Sequence, residues 1–464
     1  MNVTEGFIRY STSTRYEDLP ENVVTVAKRV VMNTVAAIIA GSTAEGIKEL
    51  ASLMMEWGGK KEATLMLHGC QLPAHEAVMV NASMARALDF DEYNLNTGVH
   101  TGATVVPIAL AASELCSGTN GKDFIAAVVV GAEIMSRMRL VPDLCIGVSG
   151  WTGEIFGGFG GAITAGRILG LTEDQMWNAL GLAFSQASGT SQTIYDGVLA
   201  TRFQQGFSAR AGFVSARLAQ KGLTGVRNFL DGKAGFYPVY YRGLKYNIGR
   251  LLDNIGEKYE FLNIATKPYP SCGFNMGPIE NILDIMREQH LKATDISKIR
   301  LHVNQQMYNT VCAPPETRYR PETIADAMFS LPYVLGTATL KGSVELDDFM
   351  GDVMKDPKRL EMADKVEINV DSDIDKESKK LGLALSLHVM DVETKSGTVF
   401  SKKLYYAKGF PQKPMTLEDC TQKAKRCAPF AVKAVSEQKI KAIRELVENI
   451  EDVQDMAPLA MMLS

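Results

Sequence analysis

The chain has no CxxC pair, no HExxH motif and no cluster of lysine and arginine interleaved with aromatic residues. Its seven cysteines (Cys70, Cys116, Cys145, Cys272, Cys312, Cys420 and Cys427) are odd in number and widely scattered. That distribution argues against a zinc ribbon or a disulfide framework and suits a reducing cytosol. Without HExxH, metal-assisted hydrolysis has no visible basis. A net charge of -4 leaves no electrostatic footprint for nucleic acid. The longest apolar run, around FIAAVVVGAEIM, is too short to span a bilayer. The N-terminus, MNVTEGFIRYSTSTRYEDLP, lacks the basic stretch and apolar run of a secretory signal. These absences predict a soluble, cytoplasmic protein with neither a membrane nor a nucleic-acid partner.

What is present is an ordinary globular composition, with 46% hydrophobic and 22% charged residues over 464 positions. That length predicts two domains rather than one. From residue 18 to about 262 the pattern is helix after helix. DLPENVVTVAKRVVMNTVAAIIAGS offers Asp18 as a cap and Pro20 in the first turn and stops at Gly41, and LTEDQMWNALGLAFSQ opens with Thr172 and Gln175 in capping-box spacing. With no β-branched alternation to interrupt it, this region predicts an all-helical domain.

After KPYPSCGF the character changes. KIRLHVNQ, KVEINVDS and LGLALSLHVM alternate as strands, the last through Leu383, Leu385, Leu387 and Val389, and a Ser396-Gly397 turn predicts a hairpin with SGTVFSKKL. Helical patterns at GPIENILDIMREQH and PETIADAMFSLPYVLGTATL lie between them. The expected architecture is mainly α: a helical domain over 1–262, a smaller α+β domain over 263–407, and amphipathic helices in 408–464 that are free to pack back on the first domain.

LDFDEYNLNTGVHTG, from Leu88 to Gly102, gathers three carboxylates and a histidine between two predicted helices. Asp89, Asp91 and Glu92 sit where one helix ends and His100 near where the next begins, positions at which the macrodipole disfavours those charges. Either this is a solvated acidic loop or a site that tolerates the cost. IFGGFGGAITAGRILG clusters Gly158, Gly160 and Gly161 before a helix, but Ile163 stands where a phosphate-binding fingerprint needs its third glycine and no strand precedes. Two small-residue edges, Gly157-Gly161-Ala165 and Gly158-Ala162-Gly166, instead predict close helix packing. In TKPYPSCGF, Pro268 and Pro270 stiffen the segment bearing Lys267, which suits a carboxylate ligand or merely sets the path of a linker. GVLATRFQQGFSARAGF brings Thr201, Arg202, Gln205 and Arg210 to a helix start, as a carboxylate clamp or as a solvated end with a salt bridge. Tyr333, after Pro332 in an apolar helix, is either a core tyrosine with a paired hydroxyl or a proton donor. His68, His75, His290, His302 and His388 read as structural or exposed.

Together, ALDFDE with the following HTGA and VVPIALAASE, GGFGGAITAGRILGLTEDQMWNALGLAFSQASG, QQGFSARAGFVSARLAQKGLTG and KPYPSCGF resemble the MmgE/PrpD family over about residues 5–450. The resemblance implies a large helical domain completed by the C-terminal helices, a smaller α+β lid domain, and a homodimer that needs no metal or organic cofactor. It places the family's aspartate on Asp89, its histidine on His100, its KPYP lysine on Lys267 and its lid tyrosine on Tyr333. Two positions depart from the dehydratases and decarboxylases of the family: Trp151 stands for a histidine, and Thr201, beside Arg202, for a lysine.

Carbon acids next to a carboxylate are weak, so such an enzyme must supply a base and neutralise the enediolate. The expectation is a cofactor-independent lyase, of dehydratase type, acting on a small di- or tricarboxylate. His100 is the expected base or acid, Asp89 its orienter, Lys267 the carboxylate binder, alone or with Arg202, and Tyr333 the second proton carrier. Tyr93, Trp151, Thr201, Arg202 and Gln205 are the candidate substrate contacts. An epimerase or isomerase of a dicarboxylate is the alternative, and a carboxylate-binding protein without catalysis is a third.

Overall fold

A computed structural model describes residues 2–142, 149–383 and 385–464; Cys145 lies outside them. The chain forms two compact units, Met1–Thr266 with Thr416–Ser464, and Lys267–Met415. Both boundaries fall later than the sequence places them. At the first, Ile264–Ala265 pairs with Tyr93–Asn94 and so stays with the first unit. At the second, the Lys408 amide donates to Glu280 and Lys413 pairs with the same carboxylate, which keeps 408–415 in the second unit.

The first unit is mainly helical. Its successive helices are α1 (Val3–Ser13), α2 (Glu21–Gly41), α3 (Ile47–Trp57), α4 (Ala74–Arg86) and α5 (Gly102–Leu115), followed by α6 (Gly121–Leu140), α7 (Gly157–Ile168), α8 (Glu173–Phe184), α9 (Gln192–Tyr195) and α10 (Ala200–Gln220). α2 has the length and apolarity to cross a bilayer, more than the run singled out in the sequence, yet it is almost wholly buried among its neighbours. Its start differs from expectation. Pro20 takes the cap position, and Asp18 instead closes a short 3-10 turn by accepting the Arg15 amide.

α7 lies against α5, α6, α8 and α10, and its glycines explain how. A Cβ at Gly212 of α10 would come within 2.6 Å of the Gly158 carbonyl, and one at Gly131 of α6 within 2.9 Å of the Gly160 carbonyl. These are backbone contacts that side chains would forbid. Around them Phe156, Phe159, Phe229 and Phe236 are fully buried, each contributing about 1.5–3 kcal/mol of hydrophobic stabilisation. The expected capping box at Thr172 and Gln175 forms.

The unit is not purely helical. β1 (Ala63–Leu65) pairs with β2 (Cys70–Leu72), and β3 (Tyr93–Asn94) with β4 (Ile264–Ala265), ladders of two or three residues that leave no alternation to read. The helix Leu417–Cys427, capped reciprocally by Thr416 and Asp419, returns to pack on α2.

The second unit carries a four-stranded sheet ordered β6-β5-β7-β8, from β5 (Ile296–Val303), β6 (Val366–Val370), β7 (His388–Thr394) and β8 (Val399–Leu404). β6 runs parallel to β5, and β7 and β8 form the expected hairpin. β7 begins at His388, not Leu383, because the Ser386 and Leu387 amides both donate back to the Leu383 carbonyl and close a turn. The predicted helix through Tyr333 is two, Ile324–Met328 and Leu331–Lys341, the second capped by the Ser330 hydroxyl with Pro332 in its first turn.

Candidate active site

α4 ends at Arg86, and the chain reverses through Asp89, whose φ of 48° is left-handed, a conformation aspartate tolerates better than most residues. The turn brings Asp89 back to its own helix. Arg86 Nη1 lies 2.6 Å from Asp89 Oδ1 and 3.8 Å from Asp91 Oδ1, while its Nε lies 3.5 Å from Glu154 Oε1. Glu154 comes from the 3-10 turn Gly153–Phe156. Burial works against the guanidinium charge, but Asp89, Asp91 and Glu154 together raise its pKa above the usual value.

β3 then pairs with β4, and Asn94 closes the next loop. Its side-chain oxygen accepts the Asn96 and Thr97 amides, and its own amide donates to the Val99 carbonyl. The closed loop delivers His100 back to the acidic segment. His100 Nδ1 lies 2.8 Å from Asp91 Oδ2; Asp91 is wholly buried and the imidazole 14% exposed. A carboxylate accepts, so Nδ1 donates to Asp91 and Nε2 is the ring nitrogen that Asp91 does not occupy. The Tyr93 ring stands 6.1 Å from the imidazole, centre to centre.

The charges are less frustrated than the sequence suggests. Arg86 supplies a cation in the last turn of α4, where the dipole favours one. Glu92 packs against Gly102 at the start of α5, so closely that a Cβ at Gly102 would overlap its carboxylate. Glu92 is fully buried, its other oxygen accepts from Asn33 Nδ2 at 2.7 Å, and burial, then the Asp91 charge, push its pKa up.

The carboxylate bonded to the imidazole is Asp91, two residues beyond Asp89, the expected orienter. Asp89 sits in the same cluster: one ligand-type atom from each of Asp89, Asp91 and His100 lies within 4.8 Å of the others. These donor types could hold a divalent cation. Arg86, against both aspartates, already places positive charge there, which makes the cluster a poor cation site.

Gln205 lies against the His100 main chain. It is buried, and its amide donates to the His100 carbonyl at 3.1 Å and to the Thr104 hydroxyl. Trp151 donates its indole N–H to the Tyr240 carbonyl at 2.9 Å and sets its ring edge-on to Tyr240. The Thr201 hydroxyl donates to the Val198 carbonyl, and Arg202, its pKa lowered by burial, reaches the Glu45 carbonyl at 2.8 Å. Arg210 pairs with Glu76 at 2.9 Å, the salt-bridge alternative.

In the second unit, Lys267 is its first residue and is buried. Tyr333 is fully buried and its hydroxyl donates to the Asp348 carbonyl, the arrangement of a core tyrosine with a paired hydroxyl. Arg86, Asp91 and Glu154 went unassigned in the sequence. Arg86 reads there as an ordinary helix-end cation, and Glu154 is separated by 68 positions from the arginine it meets.

The chain matches the MmgE/PrpD N-terminal domain over residues 5–248 and the MmgE/PrpD C-terminal domain over residues 269–449. It belongs to the MmgE/PrpD family. Among curated relatives, it is 26% identical to a cis-aconitate decarboxylase of Aspergillus terreus, covering 100% of this chain and 96% of the relative. It is 24% identical to a cis-aconitate decarboxylase-like protein, oryM, of Aspergillus oryzae, at 100% and 97% coverage. A cis-aconitate decarboxylase of Homo sapiens is also 24% identical, at 100% and 94% coverage.

Proposed function

We propose that the chain is a lyase acting on a small di- or tricarboxylate, with His100 moving a proton at the carbon beside a carboxylate. The observation that carries this is the imidazole held through Nδ1 by the wholly buried Asp91, with Nε2 left to exchange a proton. As base, Nε2 takes the C–H proton, and the imidazolium that forms is stabilised by Asp91. Lys267 enters as the cation for a substrate carboxylate.

The first reading is elimination of water: the C–H electron pair becomes the alkene bond, the carbon–oxygen bond breaks with its pair on oxygen, and the proton taken by His100 is returned to the departing hydroxyl as water. The second is loss of carbon dioxide, supported by the activity named for the relatives. There the carbon–carbon bond breaks, its electron pair stays on the substrate, and protonated His100 delivers one proton to that carbon. A single proton carrier suffices for this, in keeping with a Tyr333 hydroxyl already bonded to Asp348.

Incubating hydroxy- and unsaturated tricarboxylates in heavy water tests both. Alkene without carbon dioxide supports dehydration, and carbon dioxide with one deuterium at carbon supports decarboxylation. Exchange without loss of either would make the chain an isomerase. Affinity without exchange, unaltered by His100→Ala, would reject catalysis at His100.

A further inference from the structure

Lys423 lies on the helix Leu417–Cys427 and is wholly buried, although that helix is otherwise polar enough to lie at the surface. Its ammonium donates to the Asn33 side-chain oxygen at 2.7 Å and to the Phe90 carbonyl at 2.5 Å, and sits 3.6 Å from the centre of the Phe90 ring. Burial lowers its pKa to about 8. An apolar side chain of similar volume would avoid that penalty. Asn33, on α2, turns its amide the other way and donates to Glu92 at 2.7 Å. Phe90 and Glu92 are the residues on either side of Asp91. One arm of the Lys423–Asn33 pair therefore holds the chain just before the carboxylate that orients His100, and the other holds it just after.

We propose that Lys423 and Asn33 form a two-armed clamp that fixes the backbone at Asp91, and that Lys423 is a positioning residue for the imidazole it never touches. The clamp rests on the reading of His100 as the proton carrier. The charged groups facing this region are Arg86 from α4, Asp89, Asp91 and Glu92 from the loop, Glu154 from the 3-10 turn, Arg29 from α2, and Lys423 with its helix neighbour Arg426. Among them, Lys423 directly grips the main chain next to Asp91.

The test uses the full chain with Lys423→Met and, separately, Asn33→Ala. The readout is the low-field proton resonance of the His100 Nδ1–H bonded to Asp91, identified by its loss in His100→Ala. Both variants should fold, by circular dichroism, yet lose or broaden that resonance, and turnover should fall about 100-fold at little-changed KM, as for an ångström-scale misplacement. A sharp, unshifted resonance in folded Lys423→Met or in Asn33→Ala overturns the clamp. If Lys423→Met does not fold, Asn33→Ala decides alone. Deuterium exchange that persists in His100→Ala would overturn the catalytic reading and leave the spectroscopic result standing.

Discussion

Replacing Asp91 with asparagine should separate catalysis from stability. The carboxylate lies 2.8 Å from His100 Nδ1, and two unit charges that close attract by about 6 kcal/mol at an effective dielectric near 20. That is the most Asp91 can offer to the imidazolium formed during turnover, and at about 1.4 kcal/mol per decade it corresponds to roughly 10,000-fold in rate. Arg86, 3.8 Å from the other oxygen, offsets part of the field, so the expected loss in kcat is about 100- to 10,000-fold. Stability should move the other way or hardly at all. Asp91 shares one arginine with Asp89 and Glu154 and helps to push up the pKa of Glu92, so neutralising it relieves repulsion between carboxylates. Urea titration should place Asp91→Asn within about 1 kcal/mol of the parent or above it. Turnover within threefold of the parent, or a stability loss beyond about 3 kcal/mol, would refute the reasoning.

Tyr333→Phe removes a hydroxyl bonded to the Asp348 carbonyl, so it should cost about 1 kcal/mol in unfolding experiments and leave turnover nearly intact; loss of turnover in a folded variant would restore the proton-donor role. His388 donates Nδ1–H to the Ser386 carbonyl, accepts from Asn281 at Nε2, and has its pKa lowered to about 4 by burial. Since the unfolded chain binds this proton near pH 6.5, stability should fall as pH drops from 6.5 towards 4, by up to about 3 kcal/mol. His388→Gln should flatten that limb, and an unchanged pH profile would refute it. Gly212→Val places a side chain 2.6 Å from the Gly158 carbonyl, and should destabilise by about 3 kcal/mol or more in thermal melts; a wild-type Tm would mean that α7 and α10 do not pack this closely.

Local rules made much of the fold legible. The capping box at Thr172 needs only residues three apart, and the β7–β8 hairpin announces itself through alternation around Ser396-Gly397. Features that depend on distant partners did not show. Alternation at Leu383, Leu385 and Leu387 looked like a strand, yet the backbone closes a turn there. The histidine was found because it stands beside carboxylates, but choosing Asp91 over Asp89 depends on a left-handed turn at Asp89 that aims one side chain at Arg86 and leaves the other to the imidazole. Lys423 was invisible for a similar reason: on a polar amphipathic helix a lysine reads as solvated, and only packing on α2 turns it inward.

The return of the helix Leu417–Cys427 to α2 also bears on how the protein is made. The ribosome produces residues 1–266, then the whole second unit, and only afterwards the segment that covers α2 and reaches Phe90. At roughly 5–20 residues per second, those intervening residues take on the order of 10–30 s, during which the face of α2 that this helix covers waits open in the nascent chain. That interval is when this chain is most exposed to aggregation and when a chaperone has most to shield.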